Sequence, residues 1–208
     1  MKIVFFGDSI TVARRDRLTM YAKLGVGYVN HVAHTLEGTN PDKYSVTNLG
    51  IGGDRIVDLY ARLHQVWKEE PDVLSILVGV NDVWHNLKDG GPGIDIDRYE
   101  NVYRLILKDA KKHFPNVKLM VLEPFYLEGY ATKDHDELFK QVYDYAKVAK
   151  KVAEEEGALF LPLQEKLSAL AEKFGNETVL IDGVHPNIAG SKLIADEWIK
   201  LFKEKIDC

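Results

Sequence analysis

Four short blocks of this chain carry residue types that can do chemistry together: Gly7-Asp8-Ser9, Asn48-Leu49-Gly50-Ile51-Gly52-Gly53-Asp54, Gly79-Val80-Asn81-Asp82 and Asp182-Gly183-Val184-His185-Pro186. A serine hydroxyl becomes a nucleophile once a base takes its proton, and Ser9 and His185 are the natural pair. Asp182, three residues before His185, can hold the second ring nitrogen and stabilise the imidazolium that forms. The tetrahedral intermediate of acyl transfer places negative charge on the former carbonyl oxygen, so fixed donors must wait for it. The backbone N–H groups of Ser9 and Gly53 and the side-chain amide of Asn81 are suitable donors. Glycine at 53 also lets the backbone approach a substrate closely.

Each block alone has a plainer explanation. Gly7-Asp8-Ser9 could simply cap a helix, Gly50-x-Gly52-Gly53 could be an ordinary turn, and Asp-x-x-His recurs in loops. Positions 7 to 11 read Gly-Asp-Ser-Ile-Thr, which is not the Gly-x-Ser-x-Gly elbow. The glycine-rich block lacks both Gly-Lys-Ser/Thr and Gly-x-Gly-x-x-Gly, which argues against a nucleotide site. His64 and His85 are the reserve candidates for the base.

The elements that must position these blocks alternate from end to end. Strands are expected at Ile3–Phe6, Tyr44–Asn48, Val73–Val78, Val117–Leu122 and Ala158–Leu161, each a short β-prone run suited to a sheet buried on both faces. Between them the apolar period becomes helical. One stripe is Ile56, Leu59, Tyr60, Leu63 and Trp67; a second runs from Tyr99 to Phe114. A third, Leu138 to Val152, lies on a long charged helix that Gly157 ends. A last helix follows Pro186, with Ile194, Trp198, Leu201 and Phe202 inward. The pattern predicts an α/β fold, a three-layer α/β/α sandwich around a five-stranded parallel sheet. In such sheets ligands bind beyond the carboxyl ends of the strands, where Ser9, Gly53 and Asn81 all fall. The loops richest in Gly, Pro and Asp are Asp89–Asp97 and Glu128–Asp134.

The 208 residues suit a single domain, 1–208, with a core large enough to need no disulfide or metal. With 46% hydrophobic and 28% charged residues, the composition is that of a globular protein. A net charge of −5 argues against nucleic acid or an anionic membrane surface as partner. The one cysteine, Cys208, excludes an intramolecular disulfide and suits a cytoplasmic protein. The apolar run before Gly7 is too short for a signal peptide, and no segment approaches the ~20 residues of a membrane span.

In order and spacing, Gly7-Asp8-Ser9, Gly53, Gly79-Val80-Asn81-Asp82 and Asp182-x-x-His185-Pro186 resemble the four blocks of the SGNH, or GDSL, hydrolase superfamily. The resemblance implies a flavodoxin-like sandwich, Ser9 as nucleophile, Gly53 and Asn81 as oxyanion donors, and Asp182 with His185 completing a triad, without metal or organic cofactor. Gly25-Val26-Gly27-Tyr28-Val29, Pro71 to Ile76, Gly79 to Trp84, Pro124 to Gly129 and Val184 to Gly190 are similar to intracellular bacterial xylan-oligosaccharide acetylesterases of this superfamily. That similarity implies removal of acetyl, or another short acyl group, from a small acylated sugar such as a xylo-oligosaccharide. Asp8, Tyr28, Trp84, Glu123 and Tyr126 are candidate substrate contacts, the aromatic ones as faces for a sugar ring. Two positions depart from the pattern. Ile181 stands where an aromatic residue precedes the triad acid, which bears on oligomer contacts and pocket lining. Glu123 stands before Pro124 where a neutral residue is usual, which would bring a further carboxylate toward His185 or the substrate. A homo-oligomer is compatible with the apolar final helix. A lysophospholipase or thioesterase acting on longer chains, and a non-catalytic carbohydrate-binding domain, are the competing readings.

Overall fold

The computed structural model describes residues 1–16, 22–87 and 91–207; Cys208 and the start of the Asp89–Asp97 loop lie outside the described residues. The chain runs β1 (Lys2–Gly7), α1 (Ser9–Val12), α2 (Tyr28–Thr35), β2 (Ser45–Asn48), α3 (Ile56–Ala61), α4 (Leu63–Glu69), β3 (Val73–Leu77), α5 (Val80–Trp84), α6 (Ile96–His113) and β4 (Lys118–Leu122). It continues through α7 (Asp136–Phe139), α8 (Val142–Glu155), β5 (Leu159–Leu161), α9 (Gln164–Phe174), α10 (Asn176–Val179) and α11 (Ile188–Lys205). All five expected strands are present, with ends within two residues of expectation.

The sheet is parallel throughout, in the order β2-β1-β3-β4-β5. Helices cover both faces: α2 packs on α11 on one side, and α6 packs on α8 and α3 on the other. This explains why the strands are apolar without alternation. All five residues of β3 are buried, including Ser75, whose hydroxyl accepts a hydrogen bond from the Trp198 indole at 3.0 Å. Trp198 is fully buried, stacked on Phe202 and in contact with Phe5, so one satisfied polar pair stands inside the aromatic centre of the core. The strand order reverses direction between β1 and β3, and such a switch point opens a crevice at the carboxyl ends of the strands. Ser9 follows one of these two strands and Asn81 the other.

Three helical expectations need correction. The Ile56–Trp67 stripe is not one helix: it breaks at Arg62 (φ −115°, ψ 20°), whose side chain turns inward onto backbone carbonyls at the strand ends. Tyr60 consequently faces solvent at 39% exposure. The Leu138–Val152 stripe divides into α7 and α8 at Lys140–Gln141. Helices α2 and α9 lack any counterpart in the expected pattern. Gly157 adopts φ +69° immediately after α8, in keeping with its expected role as the helix end.

Candidate active site

Ser9 opens the short helix α1 at the end of β1, where Gly7 can take no side chain. A Cβ there would lie 2.3 Å from the Leu77 carbonyl and 2.4 Å from the Thr11 hydroxyl. Ser9 Oγ lies 2.8 Å from His185 Nε2, and His185 Nδ1 lies 2.6 Å from Asp182 Oδ2. With Asp182 ionised, Nδ1 carries the proton and donates, which leaves Nε2 free to accept from the Ser9 hydroxyl. Asp182 is itself held: its other oxygen accepts the N–H groups of Val184 (2.9 Å) and His185 (2.8 Å). Burial pushes the Asp182 carboxyl up, but the bonds from His185 and Val184 outweigh it and hold the group below the ordinary value. The same carboxylate raises the His185 imidazole above 6.5 against the opposing effect of burial.

The loop bearing this pair is closed on itself. Ile181 N–H donates to the His185 carbonyl (2.8 Å), and Leu180 bridges Pro186. The 127–131 segment lies across it, with Leu127 N–H bonded to the Gly183 carbonyl (2.8 Å) and Ala131 N–H to that of Asp182 (3.1 Å). Gly183 has φ +98°, and a Cβ there would meet the Leu127 carbonyl at 2.6 Å; this turn admits only glycine without rebuilding.

The second and third blocks interlock beside Ser9. A Cβ on Gly52 would sit 3.9 Å from that of Ser9, which places the Gly52–Gly53 turn against Ser9. Gly53 takes φ +84° with open space around its Cβ position, so the backbone angle and not crowding requires glycine. Asn81 Nδ2 donates to the Asp54 carbonyl (3.1 Å), and the carboxylate of the next residue, Asp82, accepts the Ile56 N–H (3.0 Å). Two consecutive side chains thus grip the segment following Gly53. Arg62 completes the frame with bonds to Asp54 Oδ2 (2.6 Å), the Leu49 carbonyl (2.6 Å) and the Gly7 carbonyl (3.0 Å), its guanidinium 4.3 Å over the Phe6 ring. Neither Arg62 nor the Asp54 carboxylate figured among the expected site residues. An arginine in an otherwise apolar helical stripe was the one signal available.

The five proposed substrate contacts separate. Trp84 stays at the site, half-buried with its ring centre 5.9 Å from that of His185. Tyr28 is buried, edge-on to Phe5 and bonded through its hydroxyl to Thr11 (3.0 Å), and so offers no face to a sugar. Tyr126 is buried between Phe139 and Tyr143. Glu123 accepts the N–H groups of Leu163 and Gln164 at the start of α9, a capping role that accounts for its departure from the expected neutral residue. Asp8 has no exposure and cannot touch substrate; it accepts the Ile10 N–H at 2.9 Å and caps α1. Burial raises its carboxyl to about 7, and its field falls on His185. The further carboxylate acting on the histidine is therefore Asp8, not Glu123.

Among the described residues there is no group of three or more His, Cys, Asp or Glu side chains that could hold a metal, and no helix long and apolar enough to cross a membrane. Comparison with known proteins agrees with the geometry. The GDSL-like lipase/acylhydrolase family model matches residues 5–193. The acetylxylan esterase of Geobacillus stearothermophilus is 32% identical over 210 residues, covering 96% of this chain and 92% of the relative. Its crystal structure superposes with a TM-score of 0.83 over 96% of this chain and 92% of that one. A protein of Parabacteroides merdae whose structure is described as that of a GDSL-like lipase is 36% identical, with a TM-score of 0.88 over 96% and 94% of the two chains. This chain belongs to the GDSL-like lipase/acylhydrolase family and is a carboxylic ester hydrolase.

Proposed function

We propose that the protein removes acetyl groups from carbohydrates, with Ser9 as nucleophile, His185 as general acid–base and Asp182 as its orienting partner. The observation that carries this reading is the unbroken line of contacts from Ser9 Oγ through the imidazole to Asp182, at 2.8 and 2.6 Å. Ser9 Oγ attacks the ester carbonyl carbon as Nε2 takes its proton. The carbonyl oxygen becomes an oxyanion received by the N–H groups of Ser9 and Gly53 and by Asn81 Nδ2. His185 then gives its proton to the departing alcohol oxygen, leaving an acetyl-Ser9 ester. Water, deprotonated by the same imidazole, repeats the sequence and releases acetate.

A carbohydrate substrate draws support from the relative described as an acetylxylan esterase. Trp84, on α5, the helix that also carries Asn81, stands with its ring centre 5.9 Å from that of His185, and a bulky indole this close to the base favours a small acyl group. A longer acyl chain is the second reading, because apolar side chains are exposed beside Ser9: Val26 and Ile188, for example, are 70% and 79% exposed.

The test is initial rates for the unaltered protein and Ser9→Ala on nitrophenyl acetate, butyrate and octanoate, together with acetate release from acetylated xylo-oligosaccharides. The expected result is activity that falls with acyl length, extends to the sugars and drops at least ~10³-fold in Ser9→Ala. Preference for octanoate without acetate release from the sugars overturns the substrate; a fully active Ser9→Ala overturns the mechanism.

A further inference from the structure

We infer that the apolar groove beside Ser9 holds the alcohol half of the ester, and that it selects alcohols carrying a ring-sized apolar face, such as an acetylated glycoside with an apolar aglycone. This deepens the esterase reading and rests on it. The groove is about 610 Å³, within the range of small-molecule sites. Four of the large apolar side chains most exposed to solvent border it: Val26 (70%), Tyr130 (69%), Ile181 (53%) and Ile188 (79%). They come from four separate segments: the turn before α2, the loop after β4, the residue preceding Asp182 and the first turn of α11. Apolar surface gathered from four segments at one cleft marks a binding site far more often than scattered exposure does. The wall has an aliphatic side chain, Ile181, where the family resemblance leads one to expect an aromatic.

The geometry of attack decides which half of the ester enters. Ser9 and His185 line the groove, whereas Gly53, Asn81 and Trp84 do not. The carbonyl oxygen must point toward Gly53 and Asn81, away from the groove. The leaving oxygen must come within hydrogen-bond reach of His185 Nε2 to be protonated, and His185 forms the mouth of the groove. On this inference the alcohol lies on the side of Val26 and Ile188, which line the groove with His185, and the acyl group lies outside it. Arg14, Asn187 and Ser191 also line the groove, so the apolar contacts act beside a cation and two hydrogen-bonding side chains.

The test varies each half of the ester separately in the unaltered protein and in Val26→Ser/Ile188→Ser, two exposed positions where substitution removes no buried packing. With the acyl group fixed as acetate, the ratio of kcat/KM for an acetylated phenyl glycoside over ethyl acetate should fall about tenfold in the variant, since each lost apolar contact is worth ~1 kcal/mol or somewhat less. With the alcohol fixed as nitrophenol, the acetate-to-octanoate ratio should stay the same. A variant that instead changes the acyl-length ratio and not the alcohol ratio places the acyl chain in the groove and overturns the inference. A variant that changes only the association state, read by sedimentation, makes the surface a contact between copies of the chain and also overturns it. Calorimetric binding of the deacetylated phenyl glycoside to Ser9→Ala, weakened by the same two substitutions, reads the groove without turnover. Such binding in a protein whose unaltered form hydrolyses no ester would sink the esterase reading and leave the groove standing.

Discussion

Replacing Arg62 by Met should separate the frame of the oxyanion donors from the nucleophile itself. Methionine fills much of the space of the arginine stem but removes the guanidinium and its bonds, among them those to the Asp54 carboxylate at 2.6 Å and to the carbonyls of Leu49 and Gly7. Arg62 is 8% exposed and Asp54 9%, so the carboxylate left behind stays largely out of water. Breaking a buried pair in this way costs about 3–5 kcal/mol, chiefly from the uncompensated charge. Burial already raises the Asp54 carboxyl, with Arg62 opposing it, and without Arg62 the group rises further. A carboxyl raised in the folded state binds more protons than in the unfolded chain, so its contribution to stability falls as pH rises. The deficit should therefore be smaller near about pH 5 than near about pH 8, and Arg62→Met/Asp54→Asn should recover much of it.

The catalytic effect follows from Asp54's own backbone. Its carbonyl accepts from Asn81 Nδ2, and its N–H follows directly on Gly53, so a shift of this residue displaces two of the three proposed oxyanion donors. Loss of one donor costs about 10²–10³ in kcat; partial displacement of two should cost about 10–100-fold, in kcat and not KM, because the bonds form with the transition state. The assay is kcat and KM on nitrophenyl acetate, well below the variant's own melting temperature, beside urea unfolding at both pH values. A folded Arg62→Met protein with kcat within about twofold of the unaltered enzyme would refute the positioning argument, whatever its stability.

Gly53→Ala should fold, since its Cβ meets open space, but the positive φ imposes about 1–2 kcal/mol of strain and turns the N–H away from the oxyanion. Steady-state kinetics should show the loss in kcat, and an unchanged kcat removes the Gly53 N–H from the mechanism. His185 must be neutral to take the serine proton, and its imidazole is raised above 6.5 by Asp182. The kcat/KM profile should therefore fall on the acid side through a value above 6.5, and in Asp182→Asn that limb should move to lower pH along with a large loss of rate.

How much of this was legible in the chain depends on the range over which each signal acts. The strands β1 and β3 are apolar runs, and the three residues Gly7-Asp8-Ser9 sit where one of them ends, so the strand end and the place of Ser9 beyond it could be read from a handful of neighbours. The break at Arg62 was not legible, because periodicity counts Leu59, Leu63 and Trp67 as one stripe and cannot see that Arg62 is drawn to carbonyls contributed by β1 and the end of β2. Tyr28 and Tyr126 are offered by the sequence as faces for a sugar ring, yet each is buried against a ring from another segment. Glu123 stood out because a neutral residue is usual before Pro124, and only the arrival of α9 shows what its carboxylate binds. Local chemistry pointed to Ser9, Asp182 and His185, which the fold brings together; the groups that hold them were contributed by partners far along the chain.

That division explains a feature of the site that would otherwise look self-defeating. An oxyanion is to form beside Ser9, yet Asp8, Asp54 and Asp82 all stand nearby, and three ionised carboxylates would oppose it. Asp54 is paired with Arg62, and burial raises Asp82 well above the ordinary range. Asp8 is raised to about 7, with one oxygen bonded to the Ile10 N–H and the other without a partner. Its protonated form is thus the one the fold accommodates. The sign is fixed by linkage: between the ordinary value of 3.8 and about 7 the folded protein keeps a proton that the unfolded chain has lost, so this group's contribution falls as pH rises and levels off above about 7. Over the whole window the change is about 4 kcal/mol, and between about pH 5 and about pH 8 it is about 3 kcal/mol. Asp8→Asn keeps the acceptor for Ile10 and removes the ionisation, so its stability relative to the unaltered protein should improve by that amount across the interval, whatever constant offset the new amide brings. Urea unfolding of both proteins at the two pH values decides the matter. A stability difference that is the same at both would show that Asp8 is ionised throughout, and the oxyanion would then form against its field.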